Sequence, residues 1–230
     1  MNVIYKIVYG SQCYGTATPE SDIDIRGIYL PTVRDFISLK PLELYQRQTE
    51  TEDEIFYDIR KFFHLASKSN PSVLEWLYVP HFLYIETAGH AIRKNRDIFL
   101  SKEILPRFRG FAISEWRKVL GDNPEVGARR KKLIETHGYN TKSAMNCIRL
   151  LEQGCELLEE GLVRLPRPNA AYLLDIKNGV IPLAEVEARR DELIARMEKS
   201  AERSRLPDHA DFKRVDDLLV DIVMNCARSD

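Results

Sequence analysis

The sequence predicts an α+β protein, with a sheet in its first part and an all-α second part. Three observations support this fold class. The first 60 residues contain runs of β-branched and aromatic residues bounded by turn formers, the apolar period becomes helical after residue 58, and helical patterns dominate from about residue 87. The 230 residues are 44% hydrophobic and 30% charged, which is enough for a buried core and excludes a disordered chain. We expect two domains, residues 1–99 and 100–230.

Four strands are expected in the first domain. The segment between the first two is rich in glycine, serine and threonine, which predicts a loop with at most one helical turn over residues 10–21. An acidic stretch separates the third strand from the fourth. The predicted strands cover residues 3–9, 23–30, 42–49 and 54–59.

Apolar residues then recur at helical spacing. The breaker pair Asn70-Pro71 ends the first helix and can start the second, and Gly161 is a suitable stop for the longest. Two later apolar stripes predict helices that pack on the same core. The predicted helices lie near residues 62–66, 73–78, 142–161, 186–201 and 212–223.

Charge and cysteine usage exclude several classes of protein. With 34 basic and 35 acidic residues the net charge is -1, so a nucleic-acid surface would have to be a local patch. The four cysteines form no CxxC pair and the five histidines are scattered, which argues against structural zinc. The first residues lack a basic flank followed by a long apolar stretch, and no window approaches the roughly 18 apolar residues of a membrane span. We therefore expect a cytoplasmic protein with reduced thiols.

Polar side chains around the second strand carry the chemical signal. Because side chains alternate along a strand, Asp22, Asp24 and Arg26 share a face. Two carboxylates about 7 Å apart on a rigid element suit a divalent cation that bridges to phosphate, and magnesium is the natural ion. Gly10 would let backbone N–H groups approach a phosphate, and Ser11 adds a hydroxyl. The alternatives are a solvated strand end for the aspartates and, for Arg26, a structural ion pair with Asp24 rather than a phosphate contact.

The joint occurrence of Gly10-Ser11 and Asp22-x-Asp24 resembles the signature of the DNA polymerase β-like nucleotidyltransferase superfamily. Residues 21–29 are similar to a branch of predicted nucleotidyltransferases, some of which accompany RNA ligases. The resemblance implies a small mixed-sheet nucleotidyltransferase domain followed by an all-α C-terminal domain. Further similar segments are residues 57–62, 70–75, 138–146 and 175–179.

The resemblance also implies a third carboxylate on a neighbouring strand, as a ligand of the catalytic metal. Asp58 is the expected residue, in an apolar-Asp-apolar context, with Glu54 as the fallback. The alternative for Asp58 is that it only caps the helix that follows. Lys142 and Arg149 are seven positions apart and share a helix face. We expect them to contact nucleotide or substrate phosphate, the alternative being surface or interdomain polar packing.

The activity implied is transfer of a nucleoside monophosphate from an NTP, with ATP expected, to an acceptor hydroxyl. Two Mg²⁺ ions, replaceable by Mn²⁺, would assist, and pyrophosphate would leave. The expected acceptor is an RNA 3′ end, in RNA repair. The basic run at residues 129–132 could contact its backbone, although an exposed basic run before a helix is the commoner explanation. The alternatives are a protein or small-molecule acceptor, or an inactive nucleotide-binding regulatory module.

Overall fold

A computed structural model describes residues 2–19, 21–39, 45–48, 52–120 and 128–227. The chain divides into two compact units. The first unit comprises residues 1–100 together with 209–230, and the second comprises residues 101–208.

The first unit contains a five-stranded mixed sheet in the order β3-β4-β2-β1-β5. Its central strand, β2, is antiparallel to β1 and parallel to β4. The remaining pairs, β1 with β5 and β3 with β4, are antiparallel. The strands are β1 Asn2–Tyr9, β2 Ile23–Leu30, β3 Tyr45–Gln48, β4 Glu52–Asp58 and β5 Phe82–Ile85.

The four predicted strands are present, and the predicted α+β class is confirmed. The observed β4 begins two residues before the predicted start and ends one residue before the predicted end. Residues 42–44 and 49 of the predicted third strand lie outside the described residues. The strand β5 was not predicted, because its four residues are at the sheet edge and three of them are exposed, so no alternation of polarity marks it.

Eleven α-helices lie within the described residues. Two short 3₁₀ helices, Glu75–Tyr78 and Arg96–Phe99, accompany them. None of the described helices is long and apolar enough to cross a membrane. In chain order the α-helices are α1 Gly10–Tyr14, α2 Val33–Ile37, α3 Ile59–Ser67, α4 Pro71–Leu74, α5 Thr87–Lys94, α6 Ile104–Trp116, α7 Ala128–His137, α8 Thr141–Glu160, α9 Ala170–Lys177, α10 Leu183–Arg203 and α11 Phe212–Ala227.

Side-chain caps fix where the helices of the first unit begin. Asp58 accepts a hydrogen bond from the Lys61 amide at the start of α3, and Asn70 accepts one from the Ser72 amide at the start of α4. Pro71 occupies the first turn of α4, where its missing N–H costs nothing. The core of this unit includes five large side chains that are less than 2% exposed: Tyr5, Phe62, Phe63, Trp76 and Phe99.

The second unit is built around α8. This helix is capped by Asn140, which accepts a hydrogen bond from the Ser143 amide, and it ends at Gly161 with φ +69°, as its sequence predicts. It packs against α6, α9 and α10. Fifteen of its 20 residues are buried, so almost its whole circumference is covered.

The last helix, α11, corrects two expectations. It packs against α3 and α5, within the first unit, whereas α10 packs against α8 in the second. The two C-terminal helices therefore do not share one core, and the second unit ends at residue 208 rather than 230. Apolar periodicity identifies the buried face of a helix, but it does not identify the surface that covers it.

Candidate active site

Two aspartates lie side by side near one end of the central strand. Asp24 on β2 is in register with Asp53 on β4 and with Tyr9 on β1. Opposed residues of adjacent strands point to the same face of a sheet, so the two carboxylates project together.

Arg26 joins these carboxylates. Its Nη2 donates to Asp24 Oδ1 at 3.1 Å and to Asp53 Oδ2 at 2.9 Å. Its Nη1 donates to the backbone carbonyls of Ile25 at 2.8 Å and Asp53 at 2.6 Å. The Arg26 side chain is only 12% exposed, so these pairs are screened less than surface pairs. Of the two roles considered for Arg26, the geometry favours the structural ion pair, here with two partners.

The turn after β1 closes against Asp24. Gly10 has φ +63°, and a Cβ atom on it would lie 1.9 Å from Asp24 Oδ2. Only glycine adopts this left-handed φ readily and also leaves the Asp24 carboxylate in place. The half-buried Ser11 follows directly in α1, which is the single helical turn allowed by the sequence.

A buried carboxylate fixes Tyr9, the aromatic residue that packs on Arg26. Glu75 is 1% exposed, and its Oε2 accepts hydrogen bonds from the hydroxyls of Tyr9 at 3.1 Å and Tyr14 at 2.6 Å. The Arg26 guanidinium lies 5.8 Å from the centre of the Tyr9 ring, close enough for a cation–π contact. Glu75 thus fixes Tyr9, which in turn packs on Arg26. We did not predict this role for Glu75, because it depends on residues 61 and 66 positions away.

Asp58 lies elsewhere on the sheet. Its register partner on β2 is Tyr29, five residues beyond Asp24, which is about 16 Å along the strand. The buried Asp58 carboxylate accepts a hydrogen bond from the Lys61 amide at 3.1 Å and lies 3.8 Å from Arg60 Nε. The structure therefore contradicts the expectation that Asp58 joins Asp22 and Asp24, and Asp58 instead caps α3.

The fallback residue, Glu54, is also turned away. It is adjacent to Asp53 on β4 and so points to the opposite face, where Lys6 Nζ lies 3.1 Å from Glu54 Oε1. Asp53 is the acidic residue of β4 that does face Asp24. Alternation along β4 puts Asp53 and Glu54 on opposite faces, so the sequence indicates that only one of the two can face Asp24. Choosing Asp53 requires the β2–β4 register.

Asp53 also has an unused oxygen. Its Oδ1 is buried and accepts no hydrogen bond from any of the described residues. A buried carboxylate oxygen without a donor is costly, and a cation is one partner that would remove the cost. Asp22 is exposed just before β2. As the side chains stand, no three His, Cys, Asp or Glu residues in the described ranges converge on a point that could hold a metal ion.

The two predicted phosphate contacts of α8 belong to the second unit. Lys142 is exposed, whereas Arg149 is buried and its Nη1 donates to Gln153 Oε1 at 2.8 Å. On the face that they share, Arg149 and Gln153 are therefore buried and Lys142 is exposed. Their contact with a triphosphate stays a prediction. The basic run at 129–132 is in α7, and its side chains lie outside what the structure describes.

Comparison with known proteins gives a match over nearly the whole chain. The family model RlaP, the RNA repair pathway DNA polymerase beta family, matches residues 1–221. An uncharacterized 38.9 kDa protein of Enterobacteria phage T4 is 33% identical over 96 residues, covering 38% of this chain and 29% of the phage protein. The uncharacterized protein YcgL of Bacillus subtilis is 25% identical over 213 residues, covering 90% of this chain and 68% of that protein. The chain thus spans less than a third of the phage relative.

A solved structure with partial similarity is that of a nucleotidyltransferase-like protein from Exiguobacterium sibiricum. It is 12% identical with a TM-score of 0.31, and the alignment covers 88% of this chain and 69% of that one. At this TM-score the two backbones differ too much for one fold to inform on the other.

Proposed function

Because the chain belongs to the RNA repair pathway DNA polymerase beta family, we propose that it transfers a nucleoside monophosphate from an NTP to an acceptor hydroxyl. The family predicted from the sequence is confirmed over residues 1–221. One observation carries the proposal. Asp24 and Asp53 stand together on adjacent strands, tied by Arg26, beside a turn where a side chain at position 10 would strike Asp24.

Asp22, Asp24 and Asp53 would hold Mg²⁺, with Mn²⁺ as a substitute. Their hard oxygen atoms suit this ion, and Asp53 Oδ1, which accepts no hydrogen bond from any described residue, could bind it. Asp22, exposed just before β2, would be the third ligand. When bound, the metal neutralises phosphate charge and lowers the pKa of the acceptor hydroxyl. In this proposal Asp53 takes the third-carboxylate role first expected of Asp58.

The protein itself orients the reactants. Arg26 holds Asp24 and Asp53 in place and leaves Asp24 Oδ2 facing the Gly10 turn. Ser11, next to that turn, donates a hydrogen bond from its hydroxyl to the triphosphate. The triphosphate of ATP and that of the other NTPs carry the same acceptor oxygens. The acceptor hydroxyl releases its proton to solvent and its oxygen forms a bond to the α-phosphorus, while the bond from that phosphorus to the bridging oxygen breaks and pyrophosphate leaves.

The proposed acceptor is an RNA 3′ hydroxyl. Its support is the RNA repair pathway in the family description, together with the similarity of residues 21–29 to RNA-ligase-associated proteins. Protein and small-molecule acceptors remain as outcomes of the test.

The test incubates the full chain with each α-labelled NTP and Mg²⁺ or Mn²⁺, using one RNA with a free 3′ hydroxyl and a matched RNA with a blocked 3′ end. Label should enter only the free RNA, and Asp24→Asn should abolish it. Asp216→Asn, which removes an exposed carboxylate from α11, is the matched control and should keep full activity. Label in protein alone would contradict the RNA acceptor. Absence of label, together with no NTP-induced thermal shift, would contradict the enzymatic proposal.

A further inference from the structure

The second unit contains a groove of about 940 Å³, remote in sequence from the carboxylates of β2 and β4. One wall is the end of α8, another is a face of α10, and the segment after α10 closes it. All of the lining residues belong to the second unit: 158–161, 192, 195, 196, 199, 200 and 203–206.

The first acidic residue of the groove is already neutralised. Glu159 accepts two hydrogen bonds from Arg196, Nε to Oε1 at 2.9 Å and Nη2 to Oε2 at 2.5 Å. Ser200 Oγ donates to the same carboxylate at 2.6 Å. The Arg196 hydrogen bonds lower the pKa of Glu159, so this side chain stays ionised and paired.

The other two acidic residues of the lining are paired as well. Arg164 forms a forked ion pair with Glu160, at 3.0 Å and 2.5 Å. Arg189 Nη1 lies 2.9 Å from Glu192 Oε2. Each of the three carboxylates in the described lining therefore has a guanidinium partner.

Three cations of the groove have no such partner. Lys199, Arg203 and Arg205 are exposed, and none forms an ion pair with any residue that the structure describes. Lys199 and Arg203 are neighbours on one face of α10, four positions apart, and Arg205 follows the end of the helix. The described lining thus carries four cationic and three acidic side chains, and three of its cations have no ion-pair partner among the described residues.

We propose that this groove binds the sugar–phosphate backbone of the acceptor RNA, an inference that rests on the proposed function. The cations extend over more than one helical turn, so they match several phosphates along a strand better than one small anion. Among the described residues, the lining includes no aromatic side chain on which a base could stack. Contact through phosphate alone would make binding tolerant of RNA sequence and strongly dependent on salt.

The test measures the affinity of the full chain for a short fluorescein-labelled single-stranded RNA, without NTP, over a series of salt concentrations. The variant combines Lys199→Gln, Arg203→Gln and Arg205→Gln. Because each phosphate contact to single-stranded nucleic acid adds about 0.7 to the slope of log affinity against log salt, the slope should fall by about 2. Each single variant should lower it by about 0.7.

The matched control removes one lysine and two arginines that are also exposed and unpaired among the described residues, by Lys68→Gln, Arg107→Gln and Arg117→Gln. It should keep the wild-type slope, and both triple variants should keep the wild-type unfolding temperature. An unchanged slope in the groove variant would overturn the inference, as would an equal loss in the control. If the groove variant loses affinity for inorganic pyrophosphate but keeps its affinity for RNA, the inference is also overturned. Failure of the proposed function gives a different result from failure of the groove inference: the wild type would bind RNA through the groove but add no nucleotide to it.

Discussion

Replacing Gly10 by alanine tests whether the turn after β1 positions Asp24. The added Cβ would lie 1.9 Å from Asp24 Oδ2, 2.8 Å from its Cγ and 3.1 Å from its Cβ, so rotation of the carboxylate alone does not relieve the clash. Reaching an ordinary contact requires the oxygen to move by about 1.5 Å. Since a misplacement of about 1 Å can cost about 100-fold in rate, we expect Gly10→Ala to lower NMP transfer by at least about 100-fold.

The change also strains the backbone, because φ is +63° at Gly10. A left-handed conformation costs alanine about 1–2 kcal/mol, which urea unfolding should show. Gly138→Ala separates the two effects, since Gly138 has φ +80° but its Cβ would meet nothing within 4 Å. The control should lose similar stability and keep its activity within about twofold. If Gly10→Ala is as active as Gly138→Ala, the reasoning about Asp24 is refuted.

Three further outcomes are expected. Asp58→Ala should lower the free energy of unfolding by about 1 kcal/mol, and Asp58→Ser by less, because serine can also cap α3; equal losses in urea unfolding would contradict the capping role. Arg26→Lys should destabilise by about 2 kcal/mol in the same assay, since lysine cannot make the forked contacts to both strands, and a neutral change would refute this. Burial raises the pKa of Cys147, and that of Cys155, to about 12, so a thiol reagent at roughly pH 8 should label neither before the protein unfolds. In the unfolded state Cys147 ionises near its ordinary pKa of 9.0, whereas the folded thiol stays protonated up to about pH 12. Ionisation of the unfolded thiol should therefore lower the free energy of unfolding by about 1.4 kcal/mol per pH unit as the pH rises from about 9 toward 12. A free energy of unfolding that stays constant over this range would contradict the burial of Cys147.

The first two strands and the carboxylates on β2 could be predicted from local patterns. Alternation put Asp22, Asp24 and Arg26 on one face, and the glycine after β1 indicated a turn whose backbone could approach a phosphate. These features depend on neighbours along the chain. The close approach of Gly10 to Asp24 was not predicted, because it depends on the pairing of β1 with β2.

The partner of Asp24 on β4 could not be predicted in this way. The choice between Asp53, Glu54 and Asp58 depends on the register of a parallel pair, and a shift of one residue would turn the other face of β4 toward Asp24. The apolar context of Asp58 suggested a buried ligand, but a capping aspartate at a strand end is buried for a different reason. The packing of α11 could not be predicted for a similar reason. Its sequence identifies an apolar face, but not that α3 and α5 are the helices that cover it.

The most direct test of the site is a single-turnover measurement of NMP transfer for Asp24→Asn, Asp53→Asn and Asp58→Ser, each at saturating NTP and Mg²⁺. We predict that the first two variants lose at least about 100-fold in rate, equivalent to about 2.7 kcal/mol of transition-state stabilisation. Asp58→Ser should retain the wild-type rate. The opposite pattern, with Asp53→Asn active and Asp58→Ser inactive, would contradict the assignment of Asp53 as the partner of Asp24.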